Sequence, residues 1–323
     1  MGNWQNGIAK LTLPTPFPVG DVHSYLIKGD RLTLVDAGVK TEEAWELFKA
    51  QLAELNLKPD DIEQVVLTHH HPDHVGLLDY LPPTIEIHAH SLNERWLTKD
   101  NQFASEHDEF YMGLYRQFGI PEEFCGPSVN NMKKNLRFSS ECSLSGYLHE
   151  NDAPPGLEGW RVLETHGHAQ GHIALWREKD AVLIGGDVLL AHISPNPLLE
   201  PPHPGEKERP KPQLQYNQTL RKLQEYPVSL VHAGHGEDFA NINPLIEKRL
   251  SRQHDRAMKV KTMLEDEPKT AYEVCQLLFP TVYQKELNLT ISETAAQLDY
   301  LLSLEEIAVR EEESSLLYAA IGR

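Results

Sequence analysis

Apolar and polar positions over the first 90 residues switch between the period of a strand and that of a helix. Val22 to Ile27 and Arg31 to Val35 read as strands, joined at Lys28-Gly29-Asp30 by a hairpin-type turn. The second run ends in Asp36-Ala37-Gly38. Thr41 predicts a helix N-cap, with Glu42 and Glu43 in the first turn, where the helix dipole favours anions. Ala44, Leu47, Phe48, Leu52 and Leu55 keep the helical period behind it. Gln64 to Leu67 is a short run rich in β-formers. Residues 91–150 change character. They are mostly helical in pattern and carry Trp96, Phe103, Phe110, Tyr111, Tyr115 and Phe118. They read as an inserted helical segment, fit either to roof a pocket or to extend the core.

Strand patterns return at Arg161 to Thr165, Ile173 to Trp176, Ala181 to Ile184 and Ser229 to His232. The proline-dense stretch Ser194 to Gln213 between the last two predicts a loop, because proline breaks both helices and central strands. Asn243-Pro244 predicts a helix start, an N-cap followed by proline, with the helix running to about Leu264. Two capping boxes follow, Thr270 with Glu273 and Thr290 with Glu293, each ahead of an apolar run. Ile307 to Arg310 and Leu316 to Ala320 read as a closing hairpin.

Three helices and a hairpin form a winged-helix pattern, whose usual association is DNA. Charge argues against that here. Residues 256–323 hold 7 Lys or Arg against 12 Asp or Glu, a net of −5, and Ser292 to Leu302 contains no Lys or Arg. The segment reads as a structural or homodimerisation module. The expected organisation is a catalytic domain over 1–242, interrupted by the helical insertion at about 91–150, and a winged-helix-like domain over 243–323.

Composition narrows the class. A chain of 323 residues can hold one large core and a small appendage. The formal net charge of −18 disfavours a role resting on polyanions, since nucleic-acid affinity is mostly phosphate neutralisation by Lys and Arg. No stretch approaches the roughly 18 apolar residues of a membrane helix. The first residues, Met1 to Asn6, lack the basic and apolar regions of a secretory signal. Cys125, Cys142 and Cys275 are far apart and odd in number, which fits no disulfide framework. A cytoplasmic protein acting on a small molecule is the expectation.

The chemistry concentrates in Thr68-His69-His70-His71-Pro72-Asp73-His74, which contains H-x-H-x-D-H. Three imidazoles and a carboxylate packed this closely need partners if buried, because an unpaired buried charge is very costly. Alternate residues of an extended segment point the same way, so His69 and His71 can clasp one ion while Asp73 and His74 turn onto a second. His70 then points away. A dinuclear site needs about three protein ligands per ion plus a bridge. Later segments supply them in order: Thr165-His166-Gly167-His168-Ala169-Gln170-Gly171-His172, then Gly185-Gly186-Asp187, then Ala233-Gly234-His235-Gly236. His172 reads as a hydrogen-bonding residue of the core beside the site, and His166 as a neighbour of it or merely exposed. His192 and His203 flank the proline-dense loop without a metal-type spacing. His23, His88, His90, His107, His149, His232 and His254 carry no pattern.

These motifs resemble the metallo-β-lactamase-fold hydrolases, over residues 20 to 240. The resemblance implies a four-layer αββα sandwich of α/β class. It implies that His69, His71 and His168 hold a first ion, that Asp73, His74 and His235 hold a second, and that Asp187 bridges both. Asp36 matches the family's D-A/T-G element and is expected to orient a ligand histidine. The C-terminal helices and hairpin resemble the winged-helix appendage of some members.

An imidazole and carboxylate donor set suits two divalent ions of zinc, with iron or manganese as alternatives. The family's flavin-linked di-iron oxidoreductases carry glutamate where this chain has His71, and a flavodoxin domain that it lacks; both departures favour zinc. The expected chemistry is hydrolysis: two metals lower the pKa of a bridging water to roughly 7, and Asp73, the expected catalytic residue, orients the hydroxide. A small ester, thioester or lactone is the expected substrate. T-x-G-H-x-x-G-H resembles the glyoxalase II branch, although that branch's glutathione-binding C-terminal region is replaced here. The alternatives are an endoribonuclease or phosphodiesterase of the lactamase-like group, against which the acidic balance speaks, and a mononuclear-iron sulfur dioxygenase, which shares H-x-H-x-D-H. Dedicated antibiotic hydrolysis is disfavoured, because a bridging Asp187 fits the hydrolase branch better.

Overall fold

A computed structural model of the chain describes residues 3–322. Met1, Gly2 and Arg323, inside the expected ranges 1–242 and 243–323, lie outside the described residues. The chain opens with β1 (Ile8–Leu13), β2 (Val22–Lys28) and β3 (Leu32–Val35), then α1 (Glu42–Glu54), β4 (Gln64–Val66) and the single turn α2 (Pro72–Val75). β5 (Glu86–Ala89) leads through α3 (Glu94–Leu97), α4 (Asn101–Gln117) and α5 (Glu122–Asn135) to β6 (Gly146–Tyr147). β7 (Trp160–Glu164), β8 (Ile173–Arg177) and β9 (Val182–Gly186) precede α6 (Pro212–Gln224) and β10 (Leu230–Ala233). The remainder is α7 (Ile242–Thr262), β11 (Lys269–Thr270), α8 (Ala271–Leu278), α9 (Leu287–Ser303), β12 (Ile307–Glu312) and β13 (Ser315–Ala320).

Two units result. The first takes residues up to 100, 135–195 and 225–242; the second takes 101–134, 196–224 and 243 onward. In the first unit β1 to β6 form one sheet in chain order, and β10, β9, β8 and β7 form a second. Strand alternation sorts the side chains between two cores. Tyr25, Ile27, Val35 and Val66 point from the first sheet into an apolar layer shared with Val162, Ile173, Leu175 and Ile184 of the second. Leu26, Leu34 and Val65, one residue out of phase, face the other way and pack with Ala44, Phe48 and Leu52 of α1. Thr41 caps that helix, its side chain accepting from the Ala44 amide at 3.2 Å. Leu47, read as part of the buried stripe, is exposed.

The second unit has its own core. Tyr115 and Phe118 of α4 and Cys125 and Val129 of α5 pack with Ala257 and Val260 of α7, Val274 of α8, Ile291, Leu298 and Leu301 of α9, and Tyr318 of β13. Arg209 forms a two-pronged ion pair with Asp299 at 2.7 and 2.9 Å. β11, β13 and β12 make an antiparallel sheet. The chain divides at the expected 242/243 boundary, but not only there. Much of the insertion, residues 101–134, and most of the loop region, 196–224, join the C-terminal segment, because the aromatic stripe of α4 is buried with α7, α8 and α9.

Local expectations also change. The Thr270 and Glu273 capping box forms. The Thr290 and Glu293 box does not: Thr290 lies inside α9, its hydroxyl donating to the Glu286 carbonyl one turn back at 3.0 Å. α7 begins at Ile242, before the expected Asn243 cap. β1, β5 and α6 are not legible as elements in the sequence pattern. Among the described residues no helix is long and apolar enough to cross a membrane.

Candidate metal centre

Strand direction gathers the candidate ligands. β3, β4 and β5 are mutually parallel, so the residues after their C-terminal ends share one edge of the first sheet. β9 and β10 are parallel, and β7 runs the same way because β8 is antiparallel to both β7 and β9. Asp36 follows β3, His69 to His74 follow β4, His168 follows β7, Asp187 follows β9 and His235 follows β10. Backbone bonds close the two sheets together there, Ile173 donating to Thr68 at 2.8 Å and His23 to Gly234 at 2.7 Å, while Gly234 donates to Gly186 at 2.7 Å within the second sheet.

All seven predicted ligands meet at this edge. The rings of His69, His71 and His168 meet edge to face, with centroids 4.5, 5.1 and 4.6 Å apart, and one ligand atom of each lies within 4.8 Å of the others. Asp73, His74 and His235 form a second such group. Asp187 faces both: Oδ1 is 3.5 Å from His74 Nε2, and Oδ2 is 3.5 Å from His168 Nε2 and 3.6 Å from His235 Nε2. Asp73 Oδ2 is 3.3 Å from His235 Nε2.

Hydrogen bonds set the tautomers. Asp36 accepts from the Thr68 amide at 2.7 Å and the Thr68 hydroxyl at 2.8 Å. With its proton so committed, the Thr68 hydroxyl accepts from His69 Nδ1 at 2.9 Å, leaving His69 Nε2 to face inward. His74 Nδ1 donates to Asp36 Oδ2 at 2.8 Å, and His235 Nδ1 to the Asp21 carbonyl at 2.7 Å. His172 is different. Its Nε2 accepts from the Asp187 amide at 3.1 Å, so its Nδ1 donates to the Thr165 hydroxyl at 2.7 Å. Both nitrogens are used, and the ring buttresses Asp187 without offering an electron pair. The aspartate at 36 has a left-handed backbone, φ 59°, which its short polar side chain tolerates.

The centre fits cations. Nε2 of His69, His74 and His235 and Oδ1 of Asp187 are buried without a hydrogen-bond partner. Leaving such atoms unsatisfied costs roughly 1–3 kcal/mol each, and a coordinated ion removes that cost. Burial, then the neighbouring His74 and His71 rings, holds His69 well below the ordinary imidazole range; burial and His168 do the same to His71. Burial lowers His74 too, but the carboxylates of Asp187, Asp36 and Asp73 outweigh it and raise the pKa well above the ordinary value. Burial likewise opposes a rise at His235, where Asp187 and Asp73 prevail. Asp187 is held well below the usual carboxylate range, the charges of His235 and His74 overcoming its burial. The carboxylates thus make the positions of His74 and His235 favourable for positive charge, which a bound cation would supply.

His70 turns outward, as the alternation predicts. It stacks on Trp96 with centroids 4.5 Å apart and lies 3.3 Å from Asn93 Oδ1. Thr68, Asn93 and Asp21 hold the site in place, and of these Asn93 and Asp21 escape the sequence reading. Asp21 acts through its backbone carbonyl, which leaves no side-chain signal; Asn93 acts by donating to the His90 and Gly171 carbonyls, at 3.1 and 2.8 Å. His192 is exposed and His203 half-buried; neither belongs to either ligand group.

The family model of the metallo-β-lactamase superfamily matches residues 17–117 and 148–235. The chain belongs to this superfamily. Both matched stretches of the metallo-β-lactamase domain hold candidate ligands, the first Asp36 and His69 to His74, the second His168, Asp187 and His235. The chain is 44% identical over 316 residues to the probable metallo-hydrolase YqjP of Bacillus subtilis (strain 168), covering 98% of each. A metallo-β-lactamase family protein from Thermus thermophilus superimposes with a TM-score of 0.80 at 28% identity, covering 98% of this chain and 99% of that one. A β-lactamase domain protein from Burkholderia ambifaria shares the fold, with a TM-score of 0.78 at 21% identity over 99% and 93% of the two chains.

Proposed function

We propose that this chain is a metal-dependent hydrolase that holds two divalent ions, zinc in the first instance, and cleaves a small ester, thioester or lactone. The observation that carries the reading is Asp187, whose two oxygens face both groups of imidazoles at 3.5 to 3.6 Å. A metal pair in such a setting supplies an acidified water and a Lewis acid for the electrophile.

The chain's own residues do the rest. His69, His71 and His168 would hold one ion, Asp73, His74 and His235 the other, with Asp187 placed to reach both. Asp36 and Thr68 fix the rings of His74 and His69, and His172 fixes the Asp187 backbone. Asp73 lies 3.3 Å from His235 Nε2, with a second carboxylate oxygen left to orient the attacking water. The donor set is imidazole and carboxylate throughout, which suits zinc. The net charge of −18 favours a small substrate over a polynucleotide. The Bacillus subtilis relative is a probable metallo-hydrolase, which agrees with the reaction class. We assign the C-terminal helices and hairpin a winged-helix-like structural or dimerisation role in a cytoplasmic protein.

The test is elemental analysis of the untagged protein, run beside a panel of p-nitrophenyl esters, S-lactoylglutathione, a lactone, bis-p-nitrophenyl phosphate and a short RNA. Two zinc per chain with turnover of one carboxyl-type class supports the reading. One iron per chain without hydrolysis overturns it in favour of sulfur oxidation, and phosphodiester or RNA cleavage with salt-sensitive binding overturns it in favour of a nuclease.

A further inference from the structure

The second unit holds a cavity of about 400 Å³, within the roughly 300–1,000 Å³ of small-molecule sites. One wall is a single face of α5, where Phe124, Pro127, Asn131 and Lys134 are spaced three and four residues apart. The other wall is Tyr272 of α8, Tyr283 and Lys285 of the loop that follows, and Leu287 at the start of α9. Asn288 pins the two walls together. Its Oδ1 accepts from the Tyr115 hydroxyl at 2.7 Å, and its Nδ2 donates to the Ser128 carbonyl of α5 at 3.0 Å. The cavity is thus built before a ligand enters, which lowers the ordering cost of binding.

Charge singles this cavity out. The chain carries 48 Asp and Glu against 30 Lys and Arg, yet the lining holds two lysines and no carboxylate. Neighbouring cations of α4 and α5 are neutralised, Arg116 by Glu122 and Lys133 by Asp108. Lys134 and Lys285 have no carboxylate partner among the described residues. Tyr283 adds a neutral donor. Its hydroxyl oxygen accepts from Gln284 Nε2 at 3.1 Å and from Gln276 Nε2 at 3.4 Å, so its own hydrogen is left for another acceptor.

The remaining surface is flat and apolar. Tyr272 is buried and meets Tyr283 edge to face, with centroids 6.0 Å apart. Phe124 is 41% exposed, an aromatic ring left in water at the cavity wall. Covering such a ring with a planar group removes a large apolar area from solvent.

We propose that this cavity binds a small organic anion with a planar apolar body. Lys134, Lys285 and the Tyr283 hydroxyl take its carboxylate or phosphate, and Phe124 and Tyr272 take its body. Lysine meets either headgroup as a point charge with rotatable donors, so the two share one chemistry here. A cation finds no carboxylate among the lining residues.

Isothermal titration calorimetry on the full chain tests this, with naphthoate, naphthyl phosphate and the neutral naphthamide as probes. The comparison is the double variant Lys134→Gln, Lys285→Gln. Both positions are exposed, and circular dichroism establishes that the variant is folded. Wild type should bind at least one of the two anions in a step that weakens about 10-fold or more in the variant, as for loss of charged hydrogen bonds. The tighter of the two anions names the headgroup. Phe124→Ala should weaken the same step, and naphthamide should not show it. An anion held at the metal centre binds both chains alike and drops out of the difference. Identical titrations of wild type and the double variant overturn the proposal, as does naphthamide binding as tightly as the anions. The variants leave every proposed metal ligand in place, so this proposal and the hydrolase reading fail independently.

Discussion

His74 Nδ1 and Asp36 Oδ2 stand 2.8 Å apart, both side chains buried, and the contact turns His74 Nε2 toward Asp187. Asp36 is itself held by the Thr68 amide and hydroxyl, and Thr68 in turn fixes His69. One carboxylate behind the site thus sets the tautomer of a histidine in each group.

Asp36→Asn should therefore weaken metal binding while the chain stays folded. The amide keeps the size but loses the charge that favours His74 Nδ1–H, and it can turn an N–H toward that ring. Losing a partner that orients a metal ligand typically costs about 10- to 100-fold in affinity. Chelator competition measures this directly. An affinity within about threefold of wild type would show that Asp36 serves the β3 turn alone, since the expected loss starts at about 10-fold.

Asp73→Ala tests the chemistry more sharply. Asp73 sits in α2, its carboxylate 3.3 Å from His235 Nε2. Turnover should fall by about 100-fold or more, as for loss of a positioned proton-handling group, while the melting temperature stays near wild type. Full activity in a folded variant would sink the proposed role.

Gly234→Ala should act from the backbone. A Cβ at 234 would overlap Asp187 Oδ1 and press on the Gly186 carbonyl, which accepts the Gly234 amide at 2.7 Å. The carboxylate would have to leave its position between the two groups. The expected outcome is loss of at least one metal equivalent and of turnover, read by elemental analysis and assay. Unchanged metal content would show that Asp187 can relocate.

Much of this centre is legible in the sequence because its ligands lie in short motifs that end apolar strands. H-x-H-x-D-H places four side chains within a short segment, so local geometry alone brings them together. Alternation also places His70 outward, where it stacks on Trp96. The supporting partners are not legible, because Asp21 contributes a main-chain carbonyl and Asn93 bridges residues 90 and 171 that only the fold makes neighbours. The same holds for the cavity of the second unit, whose Lys134 and Lys285 come from distant parts of the chain. In the fold, the Thr290 and Glu293 box fails because tertiary burial extends α9 beyond its sequence signal. A boundary at 242/243 is present, but residues 101–134 and 196–224 also join the C-terminal segment, because α4 has an aromatic stripe whose partners lie far later in the chain, on α7, α8 and α9, a pairing that periodicity cannot reveal.

The loop carrying His235 rests on Asp238, and that contact predicts an acid-sensitive element of stability. Asp238 accepts from His232 Nδ1 at 2.7 Å and from Lys10 Nζ at 2.7 Å. Burial pushes its pKa up, but these two partners prevail and hold it at about 2, below the ordinary carboxylate value of 3.8. A depressed acid stabilises the fold above its unfolded pKa, and the contribution disappears as pH falls through the folded value. The window is therefore between about pH 4 and pH 2. The full shift corresponds to roughly 2 kcal/mol, less after screening at a side chain that is about a quarter exposed. Asp238→Asn should be less stable than wild type at about pH 6, and the gap should narrow as pH drops from about 4 toward 2. Urea unfolding midpoints at a series of pH values give the comparison. A gap that stays constant across that range would mean that it does not come from the ionised Asp238 carboxylate.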